Sequence, residues 1–443
     1  MSKWKILMQY IKTKRRTFRS RTDLLAYQHS KIKSHLEYVQ QNSPFYADLL
    51  KPYQKEISEQ NWEALPVIDK KLMMEHFDVF NTVNITAEEA FSVALKAEET
   101  RDFSPKIRDV SIGLSSGTSG NRGIFLISDQ ERAMWSGTIL AKLLPSSILR
   151  KHSIAFFLRA NNNLYEAAGE GRISFYFFDL LDSLEIHKKR LNDIKPSIVV
   201  GPPSMLRMIA QWQNEGDIEI TPVKMISVAE VLEEVDRHYI EKTFRQKLHN
   251  VYQCTEGFLA ATCNHGTLHI NEDIVCIHKQ YIDKEHGVFM PIITDFTRTS
   301  QPIIRYQLND LLVEKKDECP CGSPFMALER IDGRSDDLFW GTNKLSGEKV
   351  PIFPDFLRRA VMAATDRINE YKVIQTNWIE IAVMIKGDGE QVKMEQEVKS
   401  KIWELWDTLS LNRPQVIFQT YDEKLSHIKR KRIESRLRQN HES

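Results

Sequence analysis

Between residues 154 and 248 short apolar runs alternate with helical patterns, and this alternation constrains the fold more than anything else in the chain. Residues 154–158, 175–180, 197–201 and 224–228 are the apolar runs. Residues 205–212 and 232–248 carry apolar side chains at helical spacing. Continuous apolar strands separated by helices predict a layered α/β domain whose strands are buried and mostly parallel. Ligands of such sheets sit on loops at the carboxyl ends of the strands. Polar clusters stand at such ends: Asn161-Asn162-Asn163, Gly201-Pro202-Pro203-Ser204, Ala229-Glu230 and Tyr252-Gln253-Cys254-Thr255-Glu256-Gly257.

At 443 residues the chain is too long for one compact core, so two or three domains are expected. Its 42% hydrophobic and 27% charged content is that of a soluble globular protein. A formal net charge of +1 argues against a globally basic nucleic-acid binder. No apolar run approaches the roughly 18 residues of a membrane span. Residues 1–10 run into Lys and Arg instead of a small-residue cleavage site, so no signal peptide is read. Five cysteines, an odd number in a long chain, do not suggest a disulfide framework. The expected location is the cytoplasm.

Elsewhere the pattern is simpler. Residues 1–21 mix Trp4, Ile6, Leu7, Tyr10 and Ile11 with Lys12, Lys14, Arg15, Arg16, Arg19 and Arg21. This stretch is either a basic amphipathic helix for an anionic membrane surface or a helix packed on its own domain. Helices are expected over 24–50, 71–80 and 131–144, and a strand over 111–114. From residue 263 the texture is β-rich. The expected organisation is a large domain over 1–335, with a β-rich subdomain at about 260–330, and a small α+β domain over 336–443. In the latter, helices are expected at 354–365 and 390–408, strands at 371–376, 379–386 and 415–419, then a basic tail.

The run Leu114-Ser115-Ser116-Gly117-Thr118-Ser119-Gly120-Asn121-Arg122-Gly123 carries the strongest chemical signal. Glycines allow close backbone approach to a ligand, and successive N–H groups form an anion-binding concavity. It is either a polyphosphate loop or a plain flexible one, and it lacks the Gly-Lys-Ser/Thr ending of a Walker loop. Downstream stand matching partners. Thr255 and Glu256 offer a hydroxyl and a carboxylate suited to Mg²⁺ at phosphate oxygens. Asp310 can accept from ribose hydroxyls, and Arg334 is a permanently charged fork. Lys429 is a cation in the tail. Each also has a structural reading: a helix cap, a turn residue, a surface ion pair and a solvated charge.

Four of these segments, 115–123, 252–257, 305–311 and 333–337, follow the order and rough spacing of the acyl-adenylate-forming superfamily of ligases and luciferases, which the chain resembles over roughly residues 30–435. Leu65-Pro66-Val67-Ile68-Asp69-Lys70, Asn42-Ser43-Pro44-Phe45-Tyr46 and Cys319-Pro320-Cys321-Gly322 resemble the phenylacetate–CoA ligase branch. Residues 77–82 resemble its relatives called coenzyme F390 synthetase-like enzymes.

The resemblance implies that Ser115, Ser116, Gly117, Thr118, Ser119 and Gly120 enclose the β- and γ-phosphates of ATP. Tyr252 would lie against the adenine with Ala229 and Glu230 alongside. Thr255 would contact the α-phosphate, Glu256 would hold Mg²⁺, and Asp310 would bind the ribose with Arg334. Asp336 would be the hinge of a mobile C-terminal domain, and Lys429 the lysine that stabilises the adenylation transition state. The chain departs from the pattern at Gln253, Asn309 and Arg122, and Lys431 competes with Lys429. Phe175, Phe177 and Asn162 are expected in an acyl pocket, which would suit an aromatic or other hydrophobic acid. Core packing is the other reading of these aromatics.

The implied reaction is ATP-dependent activation of a carboxylic acid, with CoA as the acceptor. The alternatives are transfer to an amine, a carrier protein or a cofactor hydroxyl, and a nucleotide-binding scaffold without turnover. Cys263, His269, Cys319 and Cys321 form an S₃N set of the structural-zinc kind, or else are incidental thiols. Their spacing resembles a zinc knuckle of phenylacetate–CoA ligase relatives.

Overall fold

The computed structural model describes residues 3–100, 102, 104–114, 123–158, 172–180, 182–365, 367–421 and 432–437, with Asp336 and Asp355 described in their backbone only. Ser115, Ser116, Gly117, Thr118, Ser119, Gly120, Asn162, Lys429 and Lys431 lie outside the described residues. The chain divides into two compact units: residues 1–308 with 313–330, and residues 309–312 with 331–443.

The first unit is built on the expected alternation. Strands His152–Leu158, Ile173–Asp179, Ile198–Gly201, Lys224–Ser227 and Leu248–Cys254 are parallel, and Ile173–Asp179 lies outside His152–Leu158. In chain order the strands therefore lie 2-1-3-4-5, a doubly wound arrangement with its switch point beside the first strand. Side chains alternate between two cores because successive Cβ atoms point to opposite faces. Ile154, Phe156, Ile198, Val200 and Ile226 join helices Lys3–Arg15 and Asp129–Leu143 on one face. Ala155, Phe157, Val199 and Met225 join helices Leu184–Ile194, Pro203–Glu215 and Glu234–Phe244 on the other. The sheet continues in antiparallel fashion through Gly257–Thr262 and Leu268–Ile270, the latter pairing with Ala327 and Leu328.

The β-rich part also contains Val275–Asp283, Val288–Asp295 and Ile303–Gln307, paired in antiparallel succession. A separate three-stranded sheet, Lys106–Ile107, Val110–Leu114 and Ile124–Ser128, brackets the glycine loop on both sides. Among the described residues no helix is long and apolar enough to cross a membrane.

Three expectations change. The stretch 24–50 is two helices, Arg21–Asn42 and Pro44–Leu50, parted at Ser43. Residues 232–248 are not one helix: it ends at Phe244, Arg245 takes the left-handed conformation, and a strand starts at Leu248. The helix expected over 71–80 is two, Lys70–Glu75 and Phe77–Phe80, parted at His76.

The second unit is a four-stranded sheet in the order Gln415–Phe418, Glu380–Gly387, Ile368–Asn377 and Ile433–Ser435. Helices Pro354–Met362 and Gln391–Thr408 bury Leu357, Val361, Val398, Ile402 and Trp406 against it. The tail is thus not wholly polar and irregular. Residues 433–435 pair in parallel with 373–375, and Ile433 is buried.

Candidate functional site

The first unit gathers its candidates at the carboxyl ends of strands. Ala229 follows Lys224–Ser227 with φ +68°, a conformation that side chains with a Cβ rarely adopt. Backbone strain of this kind persists where the surroundings over-determine it and clusters at functional sites. Tyr252 is buried in Leu248–Cys254, and Thr255 and Glu256 form the turn that reverses the chain into Gly257–Thr262. Thr255 Oγ1 donates to Glu256 Oε2 at 2.8 Å. Burial, reinforced by the Glu256 carboxylate, pushes the Tyr306 phenol well above its ordinary pKa. Tyr306 therefore stays a donor beside Glu256.

One cleft is lined by Lys70, Gly123, Phe125, Thr255, Glu256 and Arg298. Gly123 closes the glycine loop, so the described end of that loop meets the Thr-Glu turn. Lys70 and Arg298 are the residues to which the sequence reading assigned no role. Lys70 is carried by the segment 65–70. Arg305 has φ +51° and donates from Nε to Leu65 O at 3.2 Å and from Nη2 to Glu63 O at 2.9 Å. Backbone bonds Ile68 N to Arg305 O and Gln307 N to Ile68 O dock the segment along Ile303–Gln307. Asp69 then caps the short helix, its Oδ1 accepting from Leu72 N at 2.8 Å, and Lys70 opens that helix at the cleft.

Arg298 ties the cleft together from below. Its Nη1 donates to Thr255 O and its Nη2 to Leu126 O, both at 3.0 Å. Leu126 lies in the strand leaving the glycine loop, so one guanidinium joins that strand to the Thr-Glu turn. Gln301 adds two more bonds, accepting from Leu126 N and donating to Ile124 O. The countercharge is Glu131, 4% exposed, which accepts from Thr299 N, Ser300 N and the Ser128 amide and hydroxyl. Burial acts to raise its pKa, but Arg298 and these donors outweigh it and hold the carboxyl below its ordinary value. Asp295 is the opposite case. It is fully buried, and burial pushes its pKa up to about 6 despite bonds from Thr297. A Cβ on Gly257, the first residue after the turn, would meet Asp295 Oδ2 at 2.8 Å, so a side chain here has to displace the buried Asp295 carboxyl.

Phe175 packs in the core with Ile6, Tyr10 and Phe156, and Phe177 is half-buried on the same strand. In the second unit, Arg334 Nε stands 3.8 Å from Asp310 Oδ1, and Ser335 N donates to Asn309 O at 2.7 Å. Asp336 lies in the single 3₁₀ turn Ser335–Asp337, which follows strand Ala327–Arg334.

Cys263, His269, Cys319 and Cys321 place their ligand atoms within 4.8 Å of one another. Cys263 Sγ and Cys319 Sγ are 3.7 Å apart, and Cys321 Sγ is 3.3 Å from His269 Nε2. Tetrahedral zinc with Zn–S bonds of about 2.3 Å sets S···S edges of about 3.8 Å. His269 Nδ1 lies 3.1 Å from Phe325 O, which fixes the tautomer that leaves Nε2 free to ligate. Hydrogen-bond donors, Thr267 foremost, overcome burial and lower the Cys319 pKa, whereas burial and the neighbouring thiols raise that of Cys321. The four residues fit a structural zinc.

These features define a class: an N-terminal α/β unit whose strand ends carry nucleotide-type loops, followed by a small α+β unit, as in the adenylate-forming ligases. No family model matches the chain. A Staphylococcus aureus protein called CapK is 25% identical over 90% of this chain and 88% of its own length. Indoleacetate–lysine synthetase of Pseudomonas savastanoi is 27% identical over 48% of the chain and 56% of its own length. Phenylacetate–coenzyme A ligase of Thermus thermophilus is 21% identical over 42% and 43%, respectively. A 2-hydroxyisobutyryl-CoA ligase, solved in its postadenylation state with an acyl-AMP, superposes with a TM-score of 0.69 at 17% identity, covering 92% of this chain and 89% of that one. The chain thus has the fold of an acyl-adenylate-forming ligase and is similar in sequence to members of the phenylacetate–CoA ligase-like branch.

Proposed function

We propose that this protein activates a carboxylic acid with ATP and passes the acyl group to CoA. The carboxylate attacks the α-phosphorus, the bond to the β-phosphate oxygen breaks, and pyrophosphate leaves. The acyl-adenylate then loses AMP to the thiol of CoA. The observation that carries this reading is the cleft that joins Gly123, Lys70, Thr255 and Glu256 under the brace of Arg298. It gathers a cation, a carboxylate and hydrogen-bond donors, as a reaction run by positioning and charge neutralisation requires.

In this reading residues 115–120 enclose the β- and γ-phosphates, Thr255 meets the α-phosphate, and Tyr252 with Ala229 and Glu230 holds the adenine. Glu256, half-buried and offering hard oxygen ligands, is suited to hold Mg²⁺, which would neutralise phosphate charge when bound. Lys70, at the same cleft, supplies the cation that the glycine loop lacks. Asp310 binds the ribose hydroxyls and is joined by Arg334. Asp336 is the hinge, and Lys429 brings its charge to the developing pyrophosphate, with Lys431 as its rival. Cys263, His269, Cys319 and Cys321 would hold zinc as a structural pin. Phe177 favours a hydrophobic or aromatic acid, whereas Phe175 serves the core, and the work is done in the cytoplasm, where ATP, CoA and reduced thiols coexist.

Carboxylate-dependent exchange of labelled pyrophosphate into ATP tests the proposal. Exchange should fall by about 10²–10³ in Glu256→Gln and in Lys70→Ala. Exchange that is absent for every acid of a broad panel would favour a nucleotide-binding scaffold. Exchange without CoA-dependent AMP release would favour an amine, carrier-protein or hydroxyl acceptor.

A further inference from the structure

We infer that the outward face of helix Lys3–Arg15, with the exposed loop beside it, is a docking surface for an anionic lipid bilayer. This does not rest on the ligase reading. Residues 1–22 hold eight basic side chains and no acidic one. The helix has two faces with different work. Ile6, Tyr10 and Thr13 are buried, and the first two share a core with Ala133, Leu140 and Ala141 of helix Asp129–Leu143. Gln9 Nε2 donates to Thr138 Oγ1 at 3.0 Å. A Cβ on Gly137 would stand 2.6 Å from Ile6 O, so the two helices meet at a distance that only glycine permits. The packed reading of this helix therefore holds for one face.

Among the described residues, none covers the other face. At about 100° per residue, Trp4, Met8, Lys12 and Arg15 share a stripe about 80° wide, opposite the buried residues. Trp4 is 66% exposed and Met8 46%. Lys5, Lys12, Lys14, Arg15 and Arg19 are exposed, and none of them makes an ion pair among the described residues. The nearby acids are already taken: Arg21 and Arg16 hold Glu272 and Asp273, and Lys142 also pairs with Asp273. Tyr10 Oη accepts from Ile148 N at 3.3 Å, which sets the next residues, Leu149 (67% exposed), Arg150 and Lys151, alongside the helix. Five unpaired cations on and just after the helix, two more beside it, and three exposed apolar side chains form one patch.

The mix of side chains selects the partner. Cations alone fit any polyanion, but a Trp and a Met set among them fit the headgroup boundary of a bilayer, where amphipathic rings and basic heads both find their places. Three apolar side chains are too few to insert by themselves, so attraction to anionic lipid carries most of the binding, roughly fivefold per Lys or Arg. The patch lies by residues 148–151, which lead into the amino end of strand His152–Leu158. The Thr-Glu turn lies at the carboxyl ends of the same sheet, so a docked chain keeps that side clear.

The test uses the full chain and sedimentation with vesicles of phosphatidylcholine, with or without a third of phosphatidylglycerol. Binding should appear with phosphatidylglycerol only and vanish at high salt. Lys5→Glu/Lys12→Glu/Arg15→Glu should weaken it by roughly a hundredfold or more, with unchanged circular dichroism and melting temperature. Trp4→Ala/Met8→Ala should weaken vesicle binding while leaving any binding to a single-stranded RNA homopolymer unaltered. No preference for anionic vesicles, or full binding by the triple variant, overturns the inference. So does an RNA affinity exceeding that for vesicles with no effect of Trp4→Ala/Met8→Ala, which would make the patch a nucleic-acid surface.

Discussion

Replacing Arg298 by Met keeps the length and apolar bulk of the side chain and removes its charge and donors. The structure assigns that loss two parts. Two charge-assisted bonds, to Thr255 O and Leu126 O, disappear, and bonds to charged groups contribute roughly 1.5–3 kcal/mol each. Glu131 also loses its buried countercharge, although its bonds from Ser128, Thr299 and Ser300 remain. Arg298 acts on Glu131 through space and not as a contacting ion pair, so the two bonds carry most of the effect and about 3–5 kcal/mol is the expected total. With Arg298 gone, Glu131 loses part of what holds its carboxyl below the ordinary value, so the variant should lose less stability than wild type as pH falls through the carboxylate range. Glu131→Gln in the same background should restore part of the loss. Urea unfolding of the two single variants and the double variant measures this coupling, and pyrophosphate exchange measures the slackened turn. A destabilisation under about 1 kcal/mol with exchange intact would refute the role given to Arg298.

Three further perturbations follow from the same geometry. Gly257→Ala should cut exchange by at least tenfold in a chain that still folds, because its Cβ would meet Asp295 Oδ2 at 2.8 Å; kinetics equal to wild type would contradict the crowding. Asp295 has a folded pKa of about 6 against an ordinary 3.8, so its contribution is fully present below about pH 4 and lost as pH rises through 6. Asp295→Asn should flatten that part of the stability–pH curve and exceed wild type by up to about 3 kcal/mol at pH 7, as read by urea titration at several pH values. Purified protein should carry one zinc, and Cys319→Ser/Cys321→Ser should abolish it and expose 319–326 to hydrogen exchange; a metal-free wild type would remove the zinc assignment. Release should extend to the N-terminal segment, since Phe18 packs on Phe325 and Arg21 donates to Pro324 O.

How much was legible beforehand depends on whether the signal is local. The strands at 154–158, 175–180, 198–201 and 224–227 announce themselves because a buried parallel strand is apolar on both faces. Strand Leu248–Cys254 hides behind the helix before it, since Leu248, Val251 and Tyr252 also fit a helical period. Strand Ile433–Ser435 hides because its register comes from the partner residues 373–375, with one apolar side chain amid charges. The Cys/His set was readable because metal ligands come in recognisable numbers and types. Lys70 was visible as part of a motif but not as a cleft residue, because Arg305, far along the chain, docks its segment. Arg298 and Gln301 gave no signal at all: their roles arise only where residues 124–126 and 255 come together.

The central claim is that the bond between the α- and β-phosphates of ATP breaks while an acid is joined to AMP. Incubating the protein with ATP, Mg²⁺ and a panel of aromatic and aliphatic acids without CoA, then identifying the quenched products by mass spectrometry, tests this most directly. The account predicts acyl-AMP and pyrophosphate in equal amounts for at least one acid, and conversion to acyl-CoA and AMP when CoA is added. Formation of ADP and phosphate, or no nucleotide product with any acid, would contradict it.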